Sequence, residues 1–311
     1  MMKYSIVFPG QGSQSLGMLS DLADNFASVK VTFEHASDVL GYDLWKLTQE
    51  DQEGLNQTQK TQPAMLVAGY ATYEVLENEI DLSPVCMAGH SLGEYTALVA
   101  SGALGFADGI KLVQHRAELM QSAVPAGVGA MAAILGLDDE TVVKVCAQYS
   151  GEGIVEAVNF NSKGQVVIAG NKESVDVTCD LMKAAGAKRA VILPVSVPSH
   201  CSLMNDAATM LANALQGVQF RLGGVDVLHN VDAKKATDAD DIRAKLVAQL
   251  HRPVLWTGTV QAMHDMGVSR LIEAGPGKIL TGLTRRIEKS LTASAILTTE
   301  NIAAISQEIE Q

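Results

Sequence analysis

The stretch VCMAGHSLGEYTALVASGAL, residues 85–104, contains the transition on which the fold assignment depends. An apolar run at 85–88 is broken by GHSLG at 89–93 and is followed by a segment rich in small, helix-favouring residues. This order predicts a strand, a sharp turn and a helix, which is the setting of a nucleophile elbow with the pattern Gly-x-Ser-x-Gly. Such an elbow presents Ser91 at a helix start, where free N–H groups and the helix dipole favour an anionic intermediate. A glycine-serine turn without a chemical role is the alternative interpretation of the same residues.

The composition of the chain limits the classes of protein to consider. Its 311 residues are 47% hydrophobic and 19% charged, which suits a globular protein. The net charge of −12 argues against a nucleic-acid partner. No apolar run reaches the length of about 18 residues that a membrane span needs, and the N-terminal apolar run at 6–8 is too short for a signal peptide. We therefore expect a cytoplasmic protein.

The cysteines support that expectation. There are four of them, and their spacing shows neither the pairs of a disulfide framework nor those of a metal site. They are interpreted as reduced thiols: Cys86, Cys146, Cys179 and Cys201.

Two parts of the chain alternate short β-branched runs with helical patterns, which predicts an α/β domain with a parallel sheet, similar to an α/β-hydrolase. The predicted strands are 4–8, 85–88, 225–229 and 269–273. The predicted helices are 63–79, 92–101, 107–123, one from 202, 239–250, 256–266 and one from 279, with Pro63 in the first turn of its helix.

The middle of the chain has a different order. Between turn residues at 125–127 and 194–198 it runs strand (130–135), helix (139–149), strand (154–159), strand (165–169), helix (173–185) and strand (189–193). The order βαββαβ is the ferredoxin-like signature. We predict a small ferredoxin-like subdomain at 126–197, inserted into a large catalytic α/β domain formed by 1–125 and 198–311.

A nucleophilic serine needs a base, and the chain has seven histidines. His90 adjoins Ser91, but neighbours in a sharp turn point apart, so His90 is better suited to lining the pocket. His200 lies at the domain junction and at the head of a predicted helix, whose dipole would keep the imidazole neutral. A histidine merely packed at a helix start is the alternative. Cys201 is interpreted as a buried small residue, and Glu94 as a complement to the dipole of its helix.

Arg116 lies on a helical stripe with Leu112, Leu119 and Met120. A permanent charge among apolar neighbours needs a partner, either a protein carboxylate or an anionic ligand, and the sequence leaves both open.

The glycine loop at 10–12 lacks the third glycine of a dinucleotide fingerprint, since position 15 is serine. The loop can still offer a backbone N–H opposite that of Leu92, which would give an oxyanion two donors. The loop GPGK at 275–278 lacks the Walker spacing and is interpreted as a strand-to-helix turn.

The combination of motifs is more specific than any one of them. In chain order they are FPGQGSQ (8–14), GHSLGEYTAL (89–98), VQHRAELMQ (113–121), NFNSKGQVVIAG (159–170), VPSHCSLM (197–204) and EAGPGKILTGL (273–283). Over essentially the whole chain this set resembles the malonyl-CoA:acyl carrier protein transacylases of bacterial type II fatty acid synthesis.

The resemblance implies a role for particular residues. Ser91 would be the nucleophile and His200 its base, with the oxyanion donors at the backbone N–H groups of Gln11 and Leu92. Arg116 would hold the malonyl carboxylate, and the backbone carbonyl of Gln249 would orient His200. The implied substrate-binding set further includes His90, Met120 and Asn161.

The implied reaction moves a malonyl group from malonyl-CoA to the phosphopantetheine thiol of acyl carrier protein, through a malonyl-serine and without a metal or redox cofactor. A serine esterase or thioesterase, and a non-catalytic scaffold that binds carrier protein, are the alternatives. Because carrier proteins are acidic and this chain is too, docking needs a local basic patch, expected near Lys188 and Arg189.

Overall fold

The computed structural model describes residues 2–125, 127–195 and 197–309. The predicted subdomain boundary at Ala126 and the predicted turn residue Ser196 lie outside these ranges. In chain order the strands are β1 (Tyr4–Phe8), β2 (Met87–Gly89), β3 (Gly129–Leu135), β4 (Val155–Ser162), β5 (Gln165–Asn171), β6 (Arg189–Ile192), β7 (Val227–Leu228), β8 (Arg270–Ala274) and β9 (Thr292–Ile296).

Helices separate most of the strands. They are α1 (Ser20–Asn25), α2 (Ala27–Leu40), α3 (Leu44–Glu50), α4 (Gln52–Leu55), α5 (Thr58–Glu79), α6 (Gly93–Ala100), α7 (Phe106–Ala123), α8 (Asp139–Gln148), α9 (Lys172–Ala184), α10 (Asn205–Leu215), α11 (Ala239–His251), α12 (Trp256–Asp265), α13 (Ile279–Ile287) and α14 (Thr299–Ile309). A single turn of 3₁₀ helix, Ser202–Met204, precedes α10.

The larger sheet is parallel, in the order β7-β2-β1-β8-β9 within the described residues. Its central strand β1 is buried at every position, which fits a strand covered on both faces. Helices α5, α6 and α7 pack with it into the main core. The β2 end and the β1 end therefore point toward the same edge of the sheet, where a parallel α/β fold places its site.

The smaller sheet is antiparallel, in the order β4-β5-β3-β6 among the described residues. Helices α8 and α9 cover one face and share a core with it. The predicted order strand, helix, strand, strand, helix, strand is confirmed. The α/β class with a parallel sheet and a ferredoxin-like part is confirmed as well, while the domain boundaries themselves stay a prediction.

Some predicted element bounds were wrong. Helix α5 begins at Thr58, so Pro63 lies in its second turn rather than its first. The carbonyl of Gln57 accepts hydrogen bonds from Lys60 and Thr61, which closes the first turn ahead of the proline. The helix predicted from 202 begins as the 3₁₀ turn, and β7 is two residues long.

Two further features concern chemistry rather than architecture. All four cysteines are free and buried. Within the described residues, no helix combines the length and apolar character needed to cross a membrane.

Candidate active site

Ser91 lies at the turn between β2 and α6, with a backbone φ of +51°. A residue other than glycine rarely adopts this left-handed conformation, and it does so where surrounding structure enforces it. A Cβ atom on Gly89 would collide with the backbone of Gly93, and one on Gly93 would collide with the carbonyl of Phe8. The two glycines are therefore required by close backbone approach, which explains the Gly-x-Ser-x-Gly spacing.

The side chain of Asn230 holds this turn. Its Nδ2 donates to the carbonyl of Gly89 at 2.7 Å, and its Oδ1 accepts from the backbone N–H of Ser91 at 2.7 Å. Asn230 is fully buried and follows β7, the strand next to β2. Two hydrogen bonds from one amide thus fix the strained backbone on both sides of the serine.

Ser91 and His200 form a hydrogen-bonded pair. The Oγ atom of Ser91 lies 2.7 Å from Nε2 of His200, and Nδ1 of His200 lies 2.6 Å from the carbonyl oxygen of Gln249. Because a carbonyl only accepts, it assigns the proton to Nδ1 and leaves Nε2 to accept from the serine hydroxyl. The contact between His200 and the Gln249 carbonyl, expected from the resemblance, is present in the structure.

His200 is suited to act as a base because it is neutral. Burial, followed by the positive charge of Arg116, lowers the pKa of His200 to about 3. The expected cause was the dipole of a helix starting at 202. The helix starts at 202 as a single 3₁₀ turn, and the α-helical part, α10, starts at Asn205.

Arg116 lies in the site with neutral partners. Its Nη1 donates to Oε1 of Gln62 at 2.8 Å, and its Nη2 donates to Oε1 of Gln249 at 3.0 Å and to Oγ of Ser91 at 3.3 Å. None of the ion pairs among the described residues includes this side chain, which is 1% exposed. Of the two partners that the sequence left open, a protein carboxylate is thus not the one found.

A buried guanidinium without a counter-ion is costly. Burial lowers the pKa of Arg116, against the opposing influence of Tyr95 and Glu94. Its Nε atom has no hydrogen-bond partner among the described residues. A bound carboxylate beside Ser91 would supply the missing negative charge.

The loop that follows β1 lies against the elbow. A Cβ atom on Gly10 would collide with the backbone carbonyl of His90, so the loop needs glycine for this approach. Gln11 and Leu92 both line the pocket. Within the described residues neither of their backbone N–H groups donates a hydrogen bond, so both are available to an oxyanion.

The pocket has a volume of about 100 Å³. A cavity of about 150 Å³ holds a benzene molecule, so this one fits a small acyl group. Residues around the larger sheet, among them Ser91, Gln62 and Arg116, supply its polar end. The smaller sheet and the segment after it supply much of its apolar wall, namely Met131, Leu193, Val195 and Val197.

His90 and Met120 line the pocket as expected, and Asn161 does not. Asn161 instead lies behind His90, with its Oδ1 2.8 Å from Nε2 of the ring, and Asn159 lines the pocket in its place. The β4–β5 pairing shifts register near these residues, and such irregularities redirect side chains. Burial lowers the pKa of His90. The centroid of its ring lies 5.6 Å from that of the Trp256 ring.

Cys201 packs as expected from the sequence. Its side chain is fully buried and its thiol donates to the carbonyl of Pro198 at 3.1 Å. Burial raises the pKa of this thiol to about 12. The thiol next to His200 is therefore protonated.

Sequence reasoning missed Gln62 and Asn230, and it gave Glu94 a smaller part than its contacts show. Gln62 interrupts the buried face of α5, which is the one sequence signal that could have indicated it. Asn230 follows a two-residue strand and carried no signal.

A serine on an elbow, a neutral imidazole and two free N–H donors define an enzyme that transfers or hydrolyses acyl groups. The profile of the acyl transferase domain family matches residues 5–304, and the chain belongs to that family.

The relatives are more specific than the profile. The chain is 54% identical to the malonyl CoA-acyl carrier protein transacylase of Escherichia coli (strain K12), over 95% of this chain and 96% of that protein. It is 41% identical to the protein of the same name from Bacillus subtilis (strain 168), over 100% and 98%.

Solved structures agree with these relatives. A malonyl-transacylase in complex with its type II PKS acyl-carrier protein matches with a TM-score of 0.97 and 51% identity, covering 98% of this chain and 99% of that one. An acyl carrier protein S-malonyltransferase from Vibrio cholerae matches with a TM-score of 0.95 and 53% identity, covering 97% and 99%.

Proposed function

We infer that the protein transfers a malonyl group from malonyl-CoA to the phosphopantetheine thiol of acyl carrier protein. The observation that carries this inference is the buried Arg116, whose Nη2 lies 3.3 Å from the Ser91 hydroxyl and which has no carboxylate partner among the described residues. A malonyl thioester has a reactive carbonyl at one end and a carboxylate at the other. The pocket offers a matching group to each end.

The first half of the proposed mechanism loads the serine. Nε2 of His200 accepts the proton of Ser91 while Oγ attacks the thioester carbonyl. The backbone N–H groups of Gln11 and Leu92 donate to the oxyanion that forms. The intermediate then collapses, the carbon–sulfur bond breaks, and coenzyme A leaves as a thiol after taking the proton from His200.

The second half reverses these steps with a different thiol. The pantetheine thiol of carrier protein gives its proton to His200 and attacks the malonyl-serine ester. The same two N–H donors stabilise the second oxyanion, the carbon–oxygen bond to Ser91 then breaks, and Oγ of Ser91 takes its proton back from His200. The mechanism requires no metal or redox cofactor, and we propose none.

The arginine fork provides selectivity. A guanidinium can bind a carboxylate through two parallel hydrogen bonds, which an acetyl group cannot offer. Gln62 and Gln249 hold Nη1 and Nη2 from the protein side, so the fork is oriented before substrate arrives.

The partner and location belong to the same proposal. The relative solved with its acyl-carrier protein supports carrier protein as the acceptor. We also propose the cytoplasm as the location, which the four free, buried cysteines support.

Mass spectrometry after mixing with malonyl-CoA tests the proposal. The protein should gain a malonyl adduct that disappears when carrier protein with its pantetheine arm is added, and the acyl group should appear on that carrier protein. Ser91→Ala should show no adduct, since no neighbouring side chain can replace the hydroxyl. An adduct lost to water instead would identify a thioesterase, and the absence of any adduct on the unmodified protein would identify a scaffold.

A further inference from the structure

A cluster of buried polar side chains adjoins the Ser91 elbow. Its members are Glu94, His229, Asn230 and Gln249, and each is at most 1% exposed. None of the four is among the described residues that line the acyl pocket. Any effect of this cluster on the reaction therefore passes through other residues.

Glu94 is the common acceptor of this cluster. Its Oε1 lies 2.7 Å from Nδ1 of His229. Its Oε2 accepts from the backbone N–H of Asn230 at 2.8 Å and from Nε2 of Gln249 at 3.0 Å. A carboxylate accepts without donating, so it imposes the donor role on all three neighbours.

This imposed role fixes the direction of the Gln249 amide. Nε2 of Gln249 donates to Glu94 and, at 2.9 Å, to the carbonyl of Ser91, which leaves Oε1 to accept from Arg116. The reversed amide would turn an NH₂ group toward the guanidinium. The backbone carbonyl of the same Gln249 accepts from His200, so one residue contacts both the arginine and the base.

Asn230 provides the second connection. Its backbone N–H is bound to Glu94, while its side chain bridges Gly89 and the N–H of Ser91. A single intermediate residue, Asn230, thus connects Glu94 to the Ser91 turn by hydrogen bonds. Another, Gln249, connects Glu94 to both His200 and Arg116.

We propose that Glu94 is a positioning residue for the transfer reaction, holding Arg116 and His200 through Gln249 and the Ser91 turn through Asn230. The inference rests on the proposed malonyl transfer. It predicts that the preference for malonyl over acetyl depends on a side chain that touches neither acyl group.

Two substitutions separate hydrogen bonding from bulk. Glu94→Gln keeps the shape, because its carbonyl can accept from Asn230 and Gln249 while its NH₂ donates to the other tautomer of His229. Glu94→Met keeps the length and removes the acceptors. Glu94→Asp, which retracts the carboxylate by one methylene, replaces Glu94→Met if that variant does not fold.

The measurement is the rate constant for loading Ser91 from malonyl-CoA and from acetyl-CoA, per active site titrated by the acyl adduct. Glu94→Met or Glu94→Asp should lower the malonyl-to-acetyl ratio by about tenfold, the size of coupling within one hydrogen-bond network. Glu94→Gln should keep the malonyl-to-acetyl ratio within about threefold of that of the unmodified protein. An unchanged ratio in Glu94→Met and Glu94→Asp would assign Glu94 a purely structural role and overturn the proposal.

A double variant tests the route through Gln249. Once Gln249→Met has removed the amide, adding Glu94→Met should change the ratio by less than about twofold. Fully additive effects would contradict this route.

A matched control is Glu273→Met. Glu273 is also fully buried, and it accepts backbone N–H groups of Leu280 and Thr281 at 3.1 and 2.7 Å. Its loss should lower the melting temperature and leave the ratio unchanged, and a fall of the ratio equal to that in Glu94→Met would overturn the proposal. Malonyl transfer by the unmodified protein tests the proposed function separately.

Discussion

Arg116 is a buried fixed charge beside the nucleophile, without an ion-pair partner among the described residues. Arg116→Ala should lose malonyl transfer while acetyl transfer stays level or rises, because only malonyl has a carboxylate to bind. The loss of a charge-assisted pair in a desolvated site is about 2–5 kcal/mol. Loading rates measured with both acyl-CoA substrates check this prediction.

Arg116→Lys is the matched control. Lysine keeps the charge but lacks the planar fork, so malonyl loading should fall to a level between those of the original and the alanine variant. Equal losses for malonyl and acetyl in Arg116→Ala would mean that the arginine serves packing alone.

His200 should remain an effective base in acid. With a pKa of about 3 in the free enzyme, the imidazole stays neutral as the pH falls through 6.5, where an unshifted histidine would become protonated. We therefore expect kcat/KM for loading, which reports the free enzyme, to stay level from pH 8 to about pH 5.

The bound complex should behave differently in a defined direction. The positive charge of Arg116 is one cause of the lowered His200 pKa, and a bound malonyl carboxylate would neutralise it. The acidic limb of the kcat profile should therefore lie at higher pH than that of kcat/KM. A kcat/KM that falls tenfold per pH unit below 6.5 would contradict the lowered pKa of His200.

At the scale of single residues, the sequence could predict the side chains that belong to short local patterns. Ser91 follows from its glycines and Arg116 from its apolar stripe. The Gln249 carbonyl lies 49 residues from His200, and Asn230 lies 141 residues from the carbonyl it binds. Contacts of this separation depend on the complete fold, and only the family resemblance indicated one of them.

At the scale of elements, the loop after β1 can lie against the elbow because Gly10 has no side chain to collide with the His90 carbonyl. Gly10→Ala should push the loop away from the His90 carbonyl and separate the N–H groups of Gln11 and Leu92. Loss of one oxyanion donor typically lowers the rate about 10²–10³-fold. Single-turnover loading with malonyl-CoA, together with a melting curve, measures the effect.

Gly282→Ala is the comparison for this substitution. Gly282 is exposed on α13, and a Cβ atom there would have no neighbour within 4 Å among the described residues. Alanine should therefore raise the free energy of unfolding by about 0.5–1 kcal/mol without changing the loading rate. Similar loading rates in Gly10→Ala and Gly282→Ala would mean that the loop after β1 does not contribute to the oxyanion site.

Element prediction succeeded where the periodicity was strong. The βαββαβ order was readable because β3, β4 and β5 have 7, 8 and 7 residues and its helices are amphipathic, whereas β7 has two residues and leaves little pattern. The start of α5 was misplaced because Pro63 was interpreted as a first-turn residue, while the first turn is closed upstream by Gln57. Helices α1 to α4, strand β9 and helix α14 were not predicted.

At the scale of the whole molecule, a net charge of −12 gives no long-range attraction to an acidic partner. A local basic patch therefore has to guide the encounter. Lys188 and Arg189 are exposed at the start of β6, and the chain continues from there to Leu193 and Val195 in the pocket wall. Changing both to Glu should raise KM for carrier protein and weaken its salt dependence. Kinetics at two ionic strengths check this, and loading from malonyl-CoA should stay near normal.

A charge-matched control uses another basic cluster. Arg285 and Lys289 are exposed on and after α13, and changing both to Glu alters the net charge by the same amount. A smaller rise in KM is expected for this pair. Equal effects from the two pairs would mean that total charge, rather than a docking patch, governs the encounter.

The burial of Cys201 has a consequence for the route of the acyl group through the site. The donor of the acyl group is a thioester and its acceptor is a thiol, so a reactive thiol of the enzyme could intercept the group by thioester exchange. Exchange requires a thiolate, and Cys201, next to the base, is fully buried with a pKa of about 12. The Cys201 thiol therefore does not take up the acyl group, which passes from the sulfur of coenzyme A to the oxygen of Ser91 and then to the sulfur of the carrier protein.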